Sequence, residues 1–397
     1  MITKAKDEVK AKPSSSSRGR TSIGLDLGAR RVKAVQLEHG PEGPRIAAAA
    51  VAPRAGSGAG GSIVTAAEVA GLADLLYRTG FDGRQVVLAA PSGQLLTSVM
   101  ELPPRSADAR HQVPVEQIAR MELARSHKVG PDTFEMGCWD LPPPHRNAKG
   151  THLMAVGLPH AAAGVLLDAF EPSGLRVRSI DVASRALARA CASAAAAGGQ
   201  MTAFLDVGWG ATMLTLVHRG AVIYDRALHD AGLAELHATV GRRVGLDAEC
   251  VDYLLSHADS TDEGGRTTDE GGVPEFAPGS SFRLQPSSLP SDDPEAVDLP
   301  DEARAVLAAH ADEVARELEV SFTYATHQYP DAAVGRLVLV GGGARLPGFA
   351  RRLSGALGVP AGPVSPADLV GCDGPLLELC SSPALTTALG LAMFADG

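Results

Sequence analysis

Two stretches of the sequence share one local pattern and constrain the fold more than any other feature. Residues 23–40 read IGLDLGARRVKAVQLEHG, and residues 203–220 read AFLDVGWGATMLTLVHRG. Each predicts an apolar strand that ends in Asp-x-Gly, a tight turn and a second strand. A single Asp-x-Gly is an ordinary turn. Two copies in the same context indicate a duplicated fold whose turns face each other across a cleft.

The two turns have the chemistry of a phosphate clamp. Gly28, Gly208 and Gly210 allow backbone N–H groups to approach phosphate oxygens closely. Asp26 and Asp206 stand at the strand ends, where carboxylates can hold Mg²⁺ through its water shell, because Mg²⁺ gives up its hydration reluctantly. The sequence therefore predicts a triphosphate and a metal ion between the turns.

A third element, RLVLVGGGARLPGFARRL at 336–353, completes the predicted site. A strand runs into Gly341, Gly342 and Gly343, and Pro347 marks the start of a helix. This join points a helix N-terminus and bare backbone at a ligand. Seen alone it is also compatible with simple strand-to-helix packing. Together with the two hairpins it favours a nucleotide site.

The rest of the chain alternates strand and helix patterns, which is typical of an α/β fold. At 397 residues with 45% apolar residues, the chain suits two lobes. The predicted strands are 22–28, 32–38, 45–52, 86–90, 94–101, 152–157, 202–207, 211–217, 221–225 and 336–340. The predicted helices are 65–79, 114–127, 160–173, 182–197, 230–244, 247–257, 301–328, 347–357 and 383–393.

Charge and composition narrow the class of partner. The net charge is −10, but residues 258–300 hold ten acids against Arg266 and Arg283, so the remainder is close to neutral. A broad basic face for nucleic acid is not expected. The five cysteines lack CxxC spacing and are interpreted as reduced thiols. We expect no membrane insertion and a cytoplasmic location, since no run of about 18 apolar residues and no signal peptide is visible.

Facing Asp-x-Gly hairpins, the VGGGARLPG loop and the closing ALTTALGLAM helix resemble the actin-like ATPase superfamily. Three further stretches are similar to the type IV pilus assembly protein PilM family, which is related to FtsA. They are VVLAAPSGQLLTSVMELPP at 86–104, VEQIARMELARSHKVGPDTFEMGCWDL at 115–141 and the strand–helix–strand unit at 151–190. The resemblance covers roughly 22–257 and 301–394.

The resemblance implies two ribonuclease-H-like lobes around a nucleotide cleft, with a small extra α/β subdomain on the first lobe. The implied division is a disordered tail at 1–21, a first lobe at 22–101 joined by 182–200 and 382–397, the extra subdomain at 102–181, and a second lobe at 201–381 that includes a disordered acidic insertion at 258–300.

The resemblance implies ATP and Mg²⁺ as cofactors, with Asp26 and Asp206 as metal ligands. The implied nucleotide contacts are Asp26, Gly28, Ala29, Arg30, Asp206, Gly208, Gly210, Thr212, Glu249, Gly341, Gly342 and Gly343. The catalytic residues stay unassigned.

The chain departs from the family pattern at several of these positions. Ala29 and Arg30 replace small hydroxyl residues, Ala211 replaces a threonine, and Asp252 stands where a lysine that touches the ribose is expected. Each lost phosphate contact costs about 1.5–3 kcal/mol, although Arg30 and Arg31 offer charge-assisted bonds in exchange. Trp209, inside the second turn, either stacks on a base or partner, or plugs the cleft.

The resemblance implies an adaptor on the inner-membrane platform of a type IV pilus. Its partner would be the N-terminal peptide of a PilN-like membrane protein, held in a groove lined by 94–101 and 115–127. ATP regulation and self-association stay open. Two alternatives remain: a small-molecule kinase with Asp181 or Asp230 as the base, and a scaffold of a related secretion or cell-division complex.

Overall fold

The computed structural model describes residues 19–54, 64–102, 114–144, 150–196, 198–258 and 299–395. Most of the predicted N-terminal tail and nearly all of the predicted insertion at 258–300 lie outside the described residues, so those two predictions are not addressed by the structure.

The strands are β1 (Ile23–Leu27), β2 (Arg31–Gly40), β3 (Gly43–Pro53), β4 (Gln85–Ala89), β5 (Leu96–Leu102), β6 (Phe134–Asp140), β7 (Thr151–Pro159), β8 (Arg176–Asp181), β9 (Met201–Val207), β10 (Thr212–His218), β11 (Ala221–Leu228), β12 (Val334–Val340) and β13 (Ala361–Pro363). The helices are α1 (Ala66–Arg78), α2 (Val115–His127), α3 (His160–Phe170), α4 (Ala183–Ala190), α5 (Leu233–Val244), α6 (Ala248–His257), α7 (Asp301–Gln328), α8 (Phe349–Leu357), α9 (Pro366–Leu369), α10 (Leu376–Cys380) and α11 (Thr386–Ala392).

Two five-stranded sheets repeat one topology. The first has the order β3-β2-β1-β4-β8, and the second has the order β11-β10-β9-β12-β13. In both, the central strand pairs antiparallel with the next strand of its hairpin and parallel with a later strand. The repeated hairpins therefore begin equivalent halves, as the sequence predicts.

The central strands are buried on both faces, which explains their nearly unbroken apolar sequences. In β9, six of the seven residues of MTAFLDV are buried, and the last four residues of β12 are buried as well. The exception in β9 is Asp206, one residue before the strand ends. A carboxylate placed there leaves the core intact and reaches the edge of the sheet.

The chain returns to the first lobe through α11, which packs against β1 and α4. Glycines permit this close packing: a Cβ on Gly24 would collide with the backbone of Ala388 and Ala392, and a Cβ on Gly390 would collide with the carbonyl oxygen of Ala186. These contacts bring the N-terminal end of α11 to the edge of the cleft.

The extra subdomain is a three-stranded antiparallel sheet of order β5-β7-β6, and α2 packs on it. Its boundaries differ from the predicted division at two places. Strand β5 pairs with β7 rather than with the first lobe, and β8 pairs with β4 in the first lobe's sheet. Among the described residues, no helix combines the length and apolar character needed to cross a bilayer.

Candidate functional site

Asp26 and Asp206 occupy equivalent positions near the ends of β1 and β9, and their carboxylates influence each other. Burial raises the pKa of Asp206 above its ordinary value, and the negative charge of Asp26 raises it further. Lys33 and a hydrogen bond from the Thr387 hydroxyl, 3.3 Å from Oδ2 of Asp206, oppose this rise. The two aspartates therefore share one site between the lobes.

Lys33 supplies positive charge to this site and is not among the residues predicted from the sequence. It lies directly opposite Asp26 in the β1–β2 hairpin, and its Nζ donates to Oδ2 of Asp26 at 2.8 Å. Burial alone would lower the pKa of Lys33, but the Asp26 and Asp206 carboxylates outweigh burial and keep that pKa raised. The sequence contained one sign of this pairing: Asp26 and Lys33 carry opposite charges at facing positions of the predicted hairpin.

The prediction that Asp26 and Asp206 hold Mg²⁺ remains a prediction. The Lys33 ammonium already neutralises part of the charge that would attract a metal ion. Across the described ranges, no group of three or more His, Cys, Asp or Glu side chains is placed to bind a metal. In the arrangement described here, the two carboxylates fit an ammonium partner better than a divalent ion.

The triple-glycine loop lies against the second aspartate. Gly341 has φ +84°, and a Cβ there would collide with Oδ1 of Asp206, so only glycine is accommodated. The N–H of Gly341 donates to the Pro383 carbonyl at 3.1 Å, and that of Gly343 donates to the Val207 carbonyl at 3.0 Å. Gly342 alone faces open space. The loop thus offers less bare backbone to a ligand than its sequence predicts.

The two hairpin turns are bridged by Arg30. Its guanidinium lies over the Trp209 ring, 4.1 Å from the centroid, and donates two hydrogen bonds to Asp252 on α6, at 2.9 and 2.6 Å. Nε2 of His237 lies 3.3 Å from Oδ1 of Asp252, and the Trp209 and His237 rings meet edge to face at 4.8 Å. These four side chains, Arg30, Trp209, His237 and Asp252, are called the interlobe latch below.

The electrostatics of the interlobe latch follow from these contacts. The hydrogen bonds from Arg30 hold the pKa of Asp252 below its ordinary value, against the opposing effect of burial. Burial lowers the pKa of His237, although the Asp252 carboxylate opposes that shift. The pair is therefore an ionised arginine–carboxylate bridge beside a histidine whose neutral form burial favours.

The remaining predicted contacts fall into two groups. Ala29, Gly28 and Gly210 lie in the turns beside the cleft, and Gly210 faces open space. Thr212 is a correction: it is buried and donates its hydroxyl to the Ala231 carbonyl at 2.6 Å, so its hydroxyl proton is committed inside the second lobe.

Gly208 and Glu249 are the two further predicted contacts. The carbonyl of Gly208 accepts the N–H of Leu233 at 3.0 Å, and a Cβ on Gly208 would meet the Ala211 carbonyl oxygen at 2.6 Å, so this glycine serves the turn itself. Glu249, the expected ribose contact, is exposed on α6. The side chain of α6 that meets the first lobe is Asp252, three residues later.

Whether a nucleotide fits depends on the gap between the turns. A triphosphate clamped by both turns needs that gap, and the Arg30 guanidinium on the Trp209 ring spans it. Asp252 would also face the phosphates with a like charge. The residues present therefore do not accommodate a triphosphate while the interlobe latch is formed.

The fold is similar to a solved PilM–PilN type IV pilus biogenesis complex, at 21% sequence identity and a TM-score of 0.69, over 94% of this chain and 98% of that chain. The ethanolamine utilization protein EutJ from Carboxydothermus hydrogenoformans matches at 15% identity and a TM-score of 0.48, over 97% and 92% of the two chains. No protein-family model and no curated protein matches the sequence. The chain has an actin-like ATPase fold, and the predicted fold class is confirmed.

Proposed function

We propose that this chain is an adaptor of the PilM type on the inner-membrane platform of a type IV pilus. The observation that carries the proposal is the likeness to the PilM–PilN complex over 94% of the chain. That likeness spans the extra subdomain as well as both lobes. In this proposal the chain is cytoplasmic and reaches the membrane through a PilN-like partner, whose N-terminal peptide it binds.

The extra subdomain contains a cavity that suits a peptide. Its volume is about 480 Å³. It lies where α2 begins beside the end of β6, and its lining residues are Pro114, Val115, Glu116, Cys138, Trp139, Asp140 and Leu153. Helix α2 was expected to line a peptide groove. Strand β5, also expected there, is not among these lining residues.

Trp139 makes the wall of this cavity rigid and joins it to both lobes. Its indole Nε1 donates to the Val222 carbonyl of the second lobe at 2.8 Å, and Arg185 on α4 lies 5.0 Å from its ring centroid. A fixed aromatic wall limits the conformational entropy that binding a peptide removes from the protein. The position of this wall therefore depends on how the subdomain is placed against the two lobes.

The lining chemistry defines the peptide that would bind. Pro114, Val115, Trp139 and Leu153 offer apolar contacts, and the charged residues among the described part of the lining, Glu116 and Asp140, are both acidic. We therefore propose a short apolar peptide that carries a basic residue. The hydrophobic contacts would supply most of the affinity, and the carboxylates would fix the orientation of the peptide.

The kinase alternative is not favoured by the positions of its two candidate bases. Asp181 accepts the N–H of Val182 at 2.8 Å and pairs with Arg189 at 2.7 Å, so its carboxylate orders the junction of β8 and α4. Asp230 lies at a separate surface pocket between α5 and α7. Asp181 therefore has a structural role at that junction, and Asp230 lines a pocket other than the one between the hairpin turns.

The proposal is tested with the full chain as bait for inner-membrane pilus proteins, with and without Mg-ATP. We expect recovery of a PilN-like protein by the wild type and little recovery by the double variant Glu116→Lys, Asp140→Lys. Glu122→Lys, on an outer turn of the same helix, is the matched control and should bind normally.

Two outcomes would contradict parts of this proposal. Recovery of no membrane partner by the wild type would overturn the adaptor role. Undiminished recovery by the double variant would keep the adaptor role but move the peptide away from this cavity. A difference between the samples with and without Mg-ATP would support the regulation by nucleotide that the sequence leaves open.

A further inference from the structure

Two of the positions at which the sequence departs from the family's nucleotide-binding pattern lie against each other in the structure. Arg30 belongs to the first turn, and Asp252 belongs to α6 of the second lobe. Both guanidinium Nη atoms donate to the two carboxylate oxygens of Asp252, at 2.9 and 2.6 Å. Arg30 replaces an expected phosphate contact and Asp252 replaces an expected ribose contact, and together they form a bidentate ion pair between the lobes.

The pair is built into a wider contact. Trp209 forms an aromatic platform under the guanidinium at 4.1 Å, and His237 supports both Trp209 and Asp252 from α5. Arginine suits this position because its planar fork matches a carboxylate and also stacks on an aromatic ring. The side chains of Arg30 and Asp252 are 32% and 33% exposed, so water screens the bridge only in part.

We propose that the interlobe latch and the phosphates of a nucleotide compete for the gap between the two turns. The latch joins the two lobes through its own contacts, so the lobes are held together across the gap without a nucleotide. A nucleotide enters only when Arg30 leaves Asp252. Otherwise the guanidinium occupies the space that the phosphates need, and the Asp252 carboxylate repels them. This inference does not depend on the identity of the pilus partner.

If the latch and the phosphates compete, a substitution that weakens the latch should strengthen nucleotide binding. Asp252→Asn keeps the size of the side chain, frees Arg30 for a phosphate and removes a like charge from the gap. Charge-assisted hydrogen bonds of this kind change binding constants by about tenfold or more. We therefore expect Asp252→Asn to bind a fluorescent ATP analogue about tenfold more tightly than the wild type does.

Hydrogen exchange measures the latch itself, without any nucleotide. We expect faster amide exchange in peptides that cover residues 27–31 and 248–254 of Asp252→Asn. The matched control is Asp312→Asn, which breaks another bidentate arginine–carboxylate pair, with Arg352, inside the second lobe; both of its bonds are 2.6 Å. The control should leave the exchange of the first turn and the nucleotide affinity unchanged.

Two more variants keep the test decisive. Trp209→Ala removes the platform and should also tighten nucleotide binding. The exchanged pair Arg30→Asp, Asp252→Arg should restore slow exchange of the two segments. Equal or weaker nucleotide binding by Asp252→Asn, or no binding by any of these proteins, would overturn the competition. Unchanged hydrogen exchange in Asp252→Asn would overturn the latch.

Discussion

Replacing Lys33 by methionine should destabilise the protein more than any exposed ion-pair substitution would. Methionine keeps the apolar stem of the side chain in place and removes only the ammonium. Asp26 and Asp206 would then share one site without a cation. The 2.8 Å bond to Asp26 and the influence of Lys33 on Asp206 are both lost.

The size of the effect follows from burial. The Lys33 and Asp26 side chains are 17% and 18% exposed, so the pair resembles a buried ion pair more than a surface ion pair. Removing one partner of a buried pair costs about 3–5 kcal/mol, whereas an exposed pair contributes about 0–1 kcal/mol. We expect a loss of about 3 kcal/mol, since some water reaches the site. That is a large fraction of the stability of a typical domain.

The dependence of this loss on pH has a definite sign. The pKa of Asp206 is already raised, and Lys33 is one of the groups that lower it. Without Lys33 the pKa of Asp206 rises further, so Asp206 takes up a proton as the pH falls and one of the two negative charges disappears. The difference in stability between the variant and the wild type should therefore be largest near pH 7 and shrink in acid.

The measurement is urea denaturation followed by the fluorescence of Trp139 and Trp209, at several pH values. Lys33→Arg, which keeps the charge, should recover part of the loss. Arg125→Met, which breaks the exposed Arg125–Glu122 pair on α2, is the control and should change the free energy of unfolding by less than about 1 kcal/mol. If Lys33→Met unfolds within about 1 kcal/mol of the wild type at pH 7, the ammonium does not hold the two aspartates together.

Three further predictions concern stability and reactivity. Asp206→Asn should be more stable than the wild type at neutral pH, because a carboxyl group whose pKa is raised in the folded state costs stability once it is ionised. The advantage should vanish in acid. A variant less stable than the wild type at pH 7 would contradict this. Gly390→Ala should lose about 3 kcal/mol, because its Cβ meets the Ala186 backbone, whereas Gly355→Ala on the exposed face of α8 should gain up to about 1 kcal/mol; equal midpoints of urea unfolding would refute the close packing of α11. Cys250 is exposed, while burial raises the pKa of Cys191 to about 12. Iodoacetamide should therefore label Cys250 in the native protein and Cys191 only after unfolding. Labelling of Cys191 in the native protein, identified by mass spectrometry, would contradict its burial.

Several elements of the fold were not visible in the sequence. Strand β6 (FEMGCWD) contains a glycine and two acids, and β8 (RVRSID), which only the resemblance indicates as the second strand of the unit at 151–190, has two apolar residues among six. Such strands depend on pairing with β7 and β4 rather than on their own propensity. For this reason the predicted edge of the extra subdomain, at 102–181, differs from the sheets that the structure contains.

The sequence by itself determined the doubled hairpin, the central strands and the glycine loop. These features are local, because each depends on only a few neighbouring residues. The apolar runs end in Asp-x-Gly, and the turn at 341 needs a positive φ that favours glycine. Only the tertiary structure paired Arg30 with Asp252, 222 positions away, and set Lys33 between two aspartates. The physical reason is that an ion pair across a cleft depends on how the two lobes are placed relative to each other, which no local pattern encodes.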